Sequence, residues 1–382
     1  GADVATEVIA ADDRIATGAF AAEVALARAA VAELVRVGAA QAGVSTQAAL
    51  LRAVHLARAA GLHRLAAAGV RGGGGVRRLR AGDAEFRLDD LVGAVRELCW
   101  SVRELAAAET SSSWVGTARR SFAASGSLRL TGLFCEAVVT ATGRAGVRTW
   151  FAARDGRLFT LGDVRPGDAA RADVVYRQSI DVGDVTLDHA RASRRGLVLT
   201  QPKLSADGRL GRGRDVRAAV GDGDGWDTPA IAARFDASAE AQVRGAVRSA
   251  AAVPEARAPG FDLLFVRGEI VGVDADALVV AWDGAGRLRL MPHRAAEVPT
   301  LRALGRLPGM PLRLVARIDP LQPGTAHALA AEPRSDVAKS PRFELDADQH
   351  DRLMVTLDPL LDEALRRAVP RASAVHVEST PR

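Results

Sequence analysis

The sequence predicts an α+β multidomain chain with an N-terminal helical bundle, a central β-rich domain and a C-terminal small β-barrel (OB-like). Three observations predict it. Apolar residues at helical spacing dominate the first 110 residues. Beyond Thr110-Ser111-Ser112-Ser113, apolar runs shorten to strand length and are punctuated by Gly and Asp-Gly turns. In the last third, three strands, a helix and two strands follow one another, the element order of an OB-fold. With 382 residues, 48% of them apolar, the chain is large enough for several cores.

Phe20, Val24, Ala27, Val31 and Leu34 mark the first helix. An Ala-rich segment from Thr46 to Ala68 marks the second, with Ser45 placed to cap it. The run Gly72 to Gly75 then reads as a flexible linker between helices. Leu91, Val95, Leu98, Val102 and Leu105 form the clearest helical stripe, and Asp89 and Asp90 suit the positive end of its dipole. Together these give an antiparallel bundle of three or four helices.

In the central domain, Leu133–Thr142, Val147–Ala153 and Leu158–Val164 read as strands, the last two joined by an Asp155-Gly156 hairpin turn. Asp173–Val182 and Leu197–Leu204 read as further strands, with a short helix over Thr186–Ser193 between them. A helix is expected from Pro229 to Ala252 after the break at Asp222-Gly223-Asp224-Gly225. The barrel strands are Phe261–Val273, Ala277–Trp282, Arg287–Met291, Leu312–Ile318 and Thr325–Ala331, with a helix at Glu297–Leu307. Asp358 followed by Pro359 reads as the start of a last helix through Arg367. The expected boundaries are a bundle over 1–110, a basic β-rich domain over 111–222, a helix and linker over 223–259, the barrel over 260–335 and a C-terminal extension over 336–382.

Net charge is +5, with Lys203 and Lys339 the only lysines among 51 basic residues. Residues 1–116 are neutral, 117–217 carry +8 and 218–382 carry −3. Coding bias toward Arg accounts for the missing lysines, but not for the scarcity of acids in the middle third. The surplus concentrates in 186–217, where Arg191, Arg194, Arg195, Lys203, Arg209, Arg212, Arg214 and Arg217 face only Asp188, Asp207 and Asp215. Gly208, Gly211 and Gly213 would let such a loop approach a polyanion. Nucleic-acid phosphate, an acidic protein partner and solvent all remain open as what this segment meets. No aromatic lies inside it to stack on single-stranded bases.

Motif chemistry is sparse. Cys99 and Cys135 belong to no CxxC pair and no His cluster, so no zinc site is expected on cysteine. His55 and His63 stand two helical turns apart, about 12 Å, too far to share a metal. Arg71-Gly-Gly-Gly-Gly-Val-Arg-Arg lacks the Lys and preceding strand of a P-loop. In GDGDGWD, Ala233 stands where a calcium loop needs its last acid, so Asp222, Asp224 and Asp227 read as a turn. No GxSxG occurs, and no Ser–His spacing suggests a triad. The expectation is therefore no catalytic, metal or cofactor residues.

No apolar run approaches the ~20 residues of a membrane span, and the N-terminal stretch is unlike a signal peptide. A cytoplasmic protein without a membrane partner is expected.

Four phrases carry a resemblance: Trp114-Val-Gly-Thr-Ala-Arg-Arg, Gly126-Ser-Leu-Arg-Leu-Thr-Gly-Leu-Phe, Leu161-Gly-Asp-Val-Arg-Pro-Gly and Leu204-Ser-Ala-Asp-Gly-Arg-Leu-Gly-Arg-Gly. Leu263-Leu-Phe-Val-Arg-Gly and Leu314-Val-Ala-Arg-Ile-Asp-Pro extend it into the last domain. With these the chain resembles an uncharacterised family of high-GC bacteria, partners or relatives of SWIM zinc-finger proteins that accompany MoxR-type ATPases and von Willebrand factor A proteins. The CxC and CxH ligands of a SWIM finger are missing here, so zinc is not carried over. The resemblance implies a component of a multi-protein bacterial system with a role in defence or stress. The expected function is a non-catalytic interaction or scaffold protein with protein partners. Nucleic-acid binding through 186–217 is the alternative.

Overall fold

Leu91, Leu98, Val102 and Leu105 turn one face of a long helix into a core, and three more helices close over it. The computed structural model describes residues 14–358, apart from 85, 119–120, 141, 212–214, 224, 251, 253–256, 319–323, 334–342, 346–347 and 351. The bundle comprises β1 (Arg14–Ala16), α1 (Ala21–Val37), α2 (Val44–Ala59), α3 (His63–Arg80), α4 (Leu88–Leu105) and β2 (Glu109–Ser111). The two short strands pair antiparallel and bring the ends of the unit together. Trp114 and Val115 still pack on this core, which carries the bundle a few residues past the expected boundary.

The glycine run is not a linker. Gly72 to Gly75 lie inside α3, and Gly61, at φ +78°, makes the break between α2 and α3 instead. The run serves close approach: a Cβ on Gly75 would stand 3.0 Å from Leu91 Cδ1 and 3.3 Å from its Cβ. One turn and a half earlier, a Cβ on Gly69 would meet Val54 Cγ2 at 2.5 Å. Glycine here lowers helix propensity but lets α2 and α4 pack against the α3 backbone.

After β3 (Ala123–Ala124), the central unit is built on β4 (Ser127–Thr140), β5 (Arg144–Ala153) and β6 (Leu158–Pro166). Then come α5 (Arg171–Arg177), β7 (Ser179–Val182), β8 (Val185–Asp188), α6 (His189–Ala192), β9 (Gly196–Thr200), β10 (Lys203–Leu204), β11 (Leu210–Gly211) and β12 (Arg217–Gly221). The main sheet runs β12-β9-β4-β5-β6, entirely antiparallel. The strand expected at Asp173–Val182 is half helix. Ala172, Val175 and Tyr176 are buried together at helical spacing while Val174 is exposed, so packing overrides the β-branched pair. The helix expected from Thr186 is confined to α6, because Thr186 and Leu187 pair with β7. Gln201, at φ +55°, and Pro202 interrupt the strand expected to run through Leu204.

Two helices, α7 (Pro229–Asp236) and α8 (Ala239–Ala250), replace the single one expected. The last sheet contains β13 (Leu263–Asp274), β14 (Ala277–Trp282), β15 (Gly286–Met291), β16 (Pro311–Ile318) and β17 (Thr325–Pro333), with α9 (Val298–Leu304) between β15 and β16. A small hairpin, β18 (Phe343–Leu345) with β19 (Asp348–His350), precedes β20 (Leu353–Met354), which pairs with β17. The chain is therefore a mixed α+β protein whose sheets are antiparallel apart from the parallel pairing of β15 with β17. Among the described residues, no helix is long and apolar enough to cross a membrane.

The units assigned above to 111–222 and 260–335 bury one common core. Phe134, Val147 and Trp150 of the central sheet pack with Phe265, Val315 and Leu329 of the last one. Trp226, fully buried, donates its indole N–H to Leu133 O at 3.0 Å, and Phe235 of α7 lies 5.1 Å from it. Residues 352–358, expected as part of an appended extension, thread this junction instead, and all are buried. Arg352 donates to Gly132 O and Leu133 O at 3.0 and 3.1 Å. The helix expected beyond Asp358 lies outside the described residues.

The glycine run yields a two-sided prediction. Gly72→Ala, whose Cβ meets nothing within 4 Å, stabilises the protein by about 0.5–1 kcal/mol through helix propensity. Gly75→Val overpacks Leu91 and costs about 1–3 kcal/mol. Urea unfolding measures both; a flexible linker would leave both near zero.

Candidate functional site

The basic segment 186–217 does not present its cations as one free surface. Arg194 is the clearest departure. Its side chain is only 11% exposed, and its guanidinium donates to Tyr176 Oη and Asp358 Oδ2 at 2.8 Å each and to Arg352 O at 3.1 Å. Arg194 therefore holds the 352–358 segment and is not available to an external anion. The others are placed nearer the surface but face acids. Arg195 lies 2.7 Å from Asp222, Lys203 3.3 Å from Asp215 and Arg209 3.1 Å from Asp207. Arg191 approaches Asp188 only to 3.8 Å and is exposed, as is Arg217 on β12. Arg212 and Arg214 lie outside the described residues.

Positive charge gathers instead where the bundle meets the β units. An acid sits in the apolar run of β4, Leu133-Phe134-Cys135-Glu136-Ala137, and Glu136 is 2% exposed. From β16, Arg317 reaches it as a fork, Nη1 to Oε2 at 2.6 Å and Nη2 to Oε1 at 3.2 Å. Trp150 Nε1 donates to Oε1 at 2.8 Å, and Arg148 stands 3.6 Å away. Arg317 Nε donates in turn to Asp262 at 2.8 Å. Burial works to raise the Glu136 pKa, but Arg317, Arg148 and these hydrogen bonds outweigh it and hold the carboxyl below its usual range.

A cavity of about 320 Å³ opens beside this network. Its walls come from all three units: Arg87, Asp89 and Asp90 at the start of α4 and Arg96 midway along it, Glu136 and Arg148 from β4 and β5, and His293, Arg317 and His327 from the last sheet and its connections. The His293 and His327 rings meet edge to face, with centroids 5.1 Å apart. Burial, with His327, Arg87 and Arg317 adding to it, pushes the His293 pKa down to about 3. This ring is therefore neutral at pH 7.

The cavity continues along α4 into a second, of about 710 Å³, between the bundle and Val139, Thr140 and Arg257 of the β units. Arg58, Arg71, Arg78, Arg87, Arg96 and Arg257 line it against Asp89, Asp90 and Glu97. Arg78 is paired with Asp83 at 2.8 Å. Among the described residues, Arg58, Arg71, Arg87 and Arg96 have no carboxylate within ion-pair distance. Burial raises the Asp90 pKa even though Arg87 and Arg78 pull it down. The arrangement can receive an anion. Cys135, fully buried, has its thiol pKa pushed far up by burial, and Glu297 is raised by burial beside Arg294 at 3.3 Å. Among the described residues, no group of three or more His, Cys, Asp or Glu could hold a metal.

Sequence reasoning missed Glu136, Arg317 and the cleft arginines. The first two were discoverable as single charges inside otherwise apolar strand runs. No family model, curated protein or solved structure matches the chain.

Two predictions follow from the junction. Arg317→Met leaves Glu136 buried without its fork and destabilises the protein by about 3 kcal/mol. The double variant Glu136→Gln with Arg317→Met recovers part of that loss in denaturant unfolding. For His293, unfolded imidazole binds its proton near the ordinary value of about 6.5, whereas the folded ring stays neutral down to about 3. The unfolded state binds more protons in that window, so His293 lowers stability as pH falls from about 7 towards 3. His293→Gln flattens the fall in Tm between those limits; an unchanged slope would remove His293 as its source.

Proposed function

We propose that the chain is a non-catalytic interaction protein, a scaffold in a multi-component bacterial system with a role in defence or stress, and that its partner presents negative charge to the cleft between bundle and β units. One observation carries the reading: twice as many arginines as carboxylates line that cleft. The resemblance to relatives of SWIM zinc-finger proteins supplies the system. The free thiols Cys99 and Cys135 suit the reducing cytoplasm proposed as its compartment.

The C-terminal unit is read as an OB-like barrel. In support, β13 pairs with β14, β14 with β15, β15 in parallel with β17, β17 with β16 and β16 again with β13, a circuit of pairings with α9 between β15 and β16.

A second reading keeps nucleic acid on the 186–217 segment, favoured by the exposure of Arg191 and Arg217. The ion pairs of Arg195, Lys203 and Arg209 leave that segment less charge to offer. Partner affinity measured across ~50 to 200 mM salt separates the two. Arg58→Gln with Arg87→Gln lowers affinity for an acidic protein partner roughly tenfold, while Arg191→Gln with Arg217→Gln leaves it within about twofold. The reverse pattern, with nucleic acid as the ligand, moves the interface to 186–217.

A further inference from the structure

The larger cavity has an uneven charge distribution around Glu97. Glu97, from α4, is buried and stands 3.5 Å from Arg64, itself buried under the Trp114 ring at 5.0 Å. That carboxylate pairs directly with Arg64, and Arg71, Arg96 and Arg257 also line the space around it. Two of these guanidinium groups, those of Arg96 and Arg257, are held by neutral partners. Arg257 donates to Ala252 O at 2.9 Å and Ala250 O at 3.0 Å and lies 5.4 Å over Phe261. Arg96 lies 5.2 Å over Trp100. Such anchoring orients Arg96 and Arg257 without neutralising their charge. In keeping with this, Arg64, Arg71 and Arg257 all have lowered pKa values: burial is the main cause, Glu97 opposes it in each, and Arg64 is further repelled by Arg257 and Arg71.

A single carboxylate group would leave this surplus unbalanced, whereas a multiply charged oxyanion matches both its charge and the planar donor geometry. Beside the charged residues the lining carries apolar side chains, Ala67, Val70, Phe86, Leu91, Ala94 and Val139, which suit an organic group. A volume of about 710 Å³ falls within the range of small-molecule sites. We propose that the recess formed by Arg71, Arg96 and Arg257 binds a small organic molecule through its phosphate or pyrophosphate group. Because Arg71 and Arg96 belong to the bundle and Arg257 precedes β13, the ligand bridges the bundle to the β units. The inference rests on the cleft's reading as an anion site and names its occupant.

Isothermal titration at ~50 mM salt tests it with pyrophosphate, adenosine triphosphate and citrate as probes, and with polyaspartate as a polymeric comparison. The expected result is saturable binding of the two phosphate compounds at least tenfold tighter than citrate. Arg71→Gln and Arg257→Gln each weaken it at least tenfold, Arg71→Lys weakens it less, and Arg36→Gln on the outer face of α1 leaves it unchanged. Citrate binding as tightly as pyrophosphate would overturn the phosphate assignment. Polyaspartate binding that depends on Arg71, with no small anion bound, would overturn the inference but leave the cleft as an anion site. Binding of none of the four would overturn both. If a Gln variant fails to fold, the wild-type titrations and Arg71→Lys still decide among these outcomes.

Discussion

One buried carboxylate organises the structure. Glu136 lies in the middle of β4, where an unpaired charge would be prohibitive, and the fork of Arg317 from β16 makes it tolerable. That pair joins one sheet to the other, and apolar residues of both sheets share a common core. Trp226, α7 and residues 352–358 fill what the two sheets alone would leave open. The β units thereby form a frame, and the charged first turns of α4 face it across the cleft. An ion pair of this kind adds little net stability over an apolar substitute.

Charge in the sequence and charge in space turned out to be different quantities. The middle third carries the formal surplus, yet several of its arginines meet acids, some a few residues away, as Arg157 does Asp155 and Arg165 does Asp163. Arg194 goes further and becomes a core residue, tying Asp358 to Tyr176. The bundle is neutral over its length, but its acids and bases segregate, and α3 and α4 turn arginines toward the β units. Net charge by segment is blind to that segregation.

The helical stripe of α4, the hairpin at Asp155-Gly156 and the succession of strands β13 to β17 were legible because each rests on local periodicity or turn chemistry. The Gly72–Gly75 run was not, since its role depends on Leu91, which is distant in sequence. The Ala172/Val175/Tyr176 face was masked by Val174, a β-branched residue exposed on a short helix. The cleft was illegible for the same reason: Arg71, Arg96 and Arg257 meet only after three units are assembled, and none belongs to a motif.

The account depends most on the two sheets behaving as one body. Native-state hydrogen exchange compares the amides of Val147, on β5, and Val315, on β16, both fully buried in the common core. Their opening free energies should agree within about 1 kcal/mol and fall with denaturant at the same slope, as expected of one cooperative unit. If Val315 instead exchanges several kcal/mol more readily, with a shallower slope, the last sheet opens independently and the frame beneath the cleft is not the single body described.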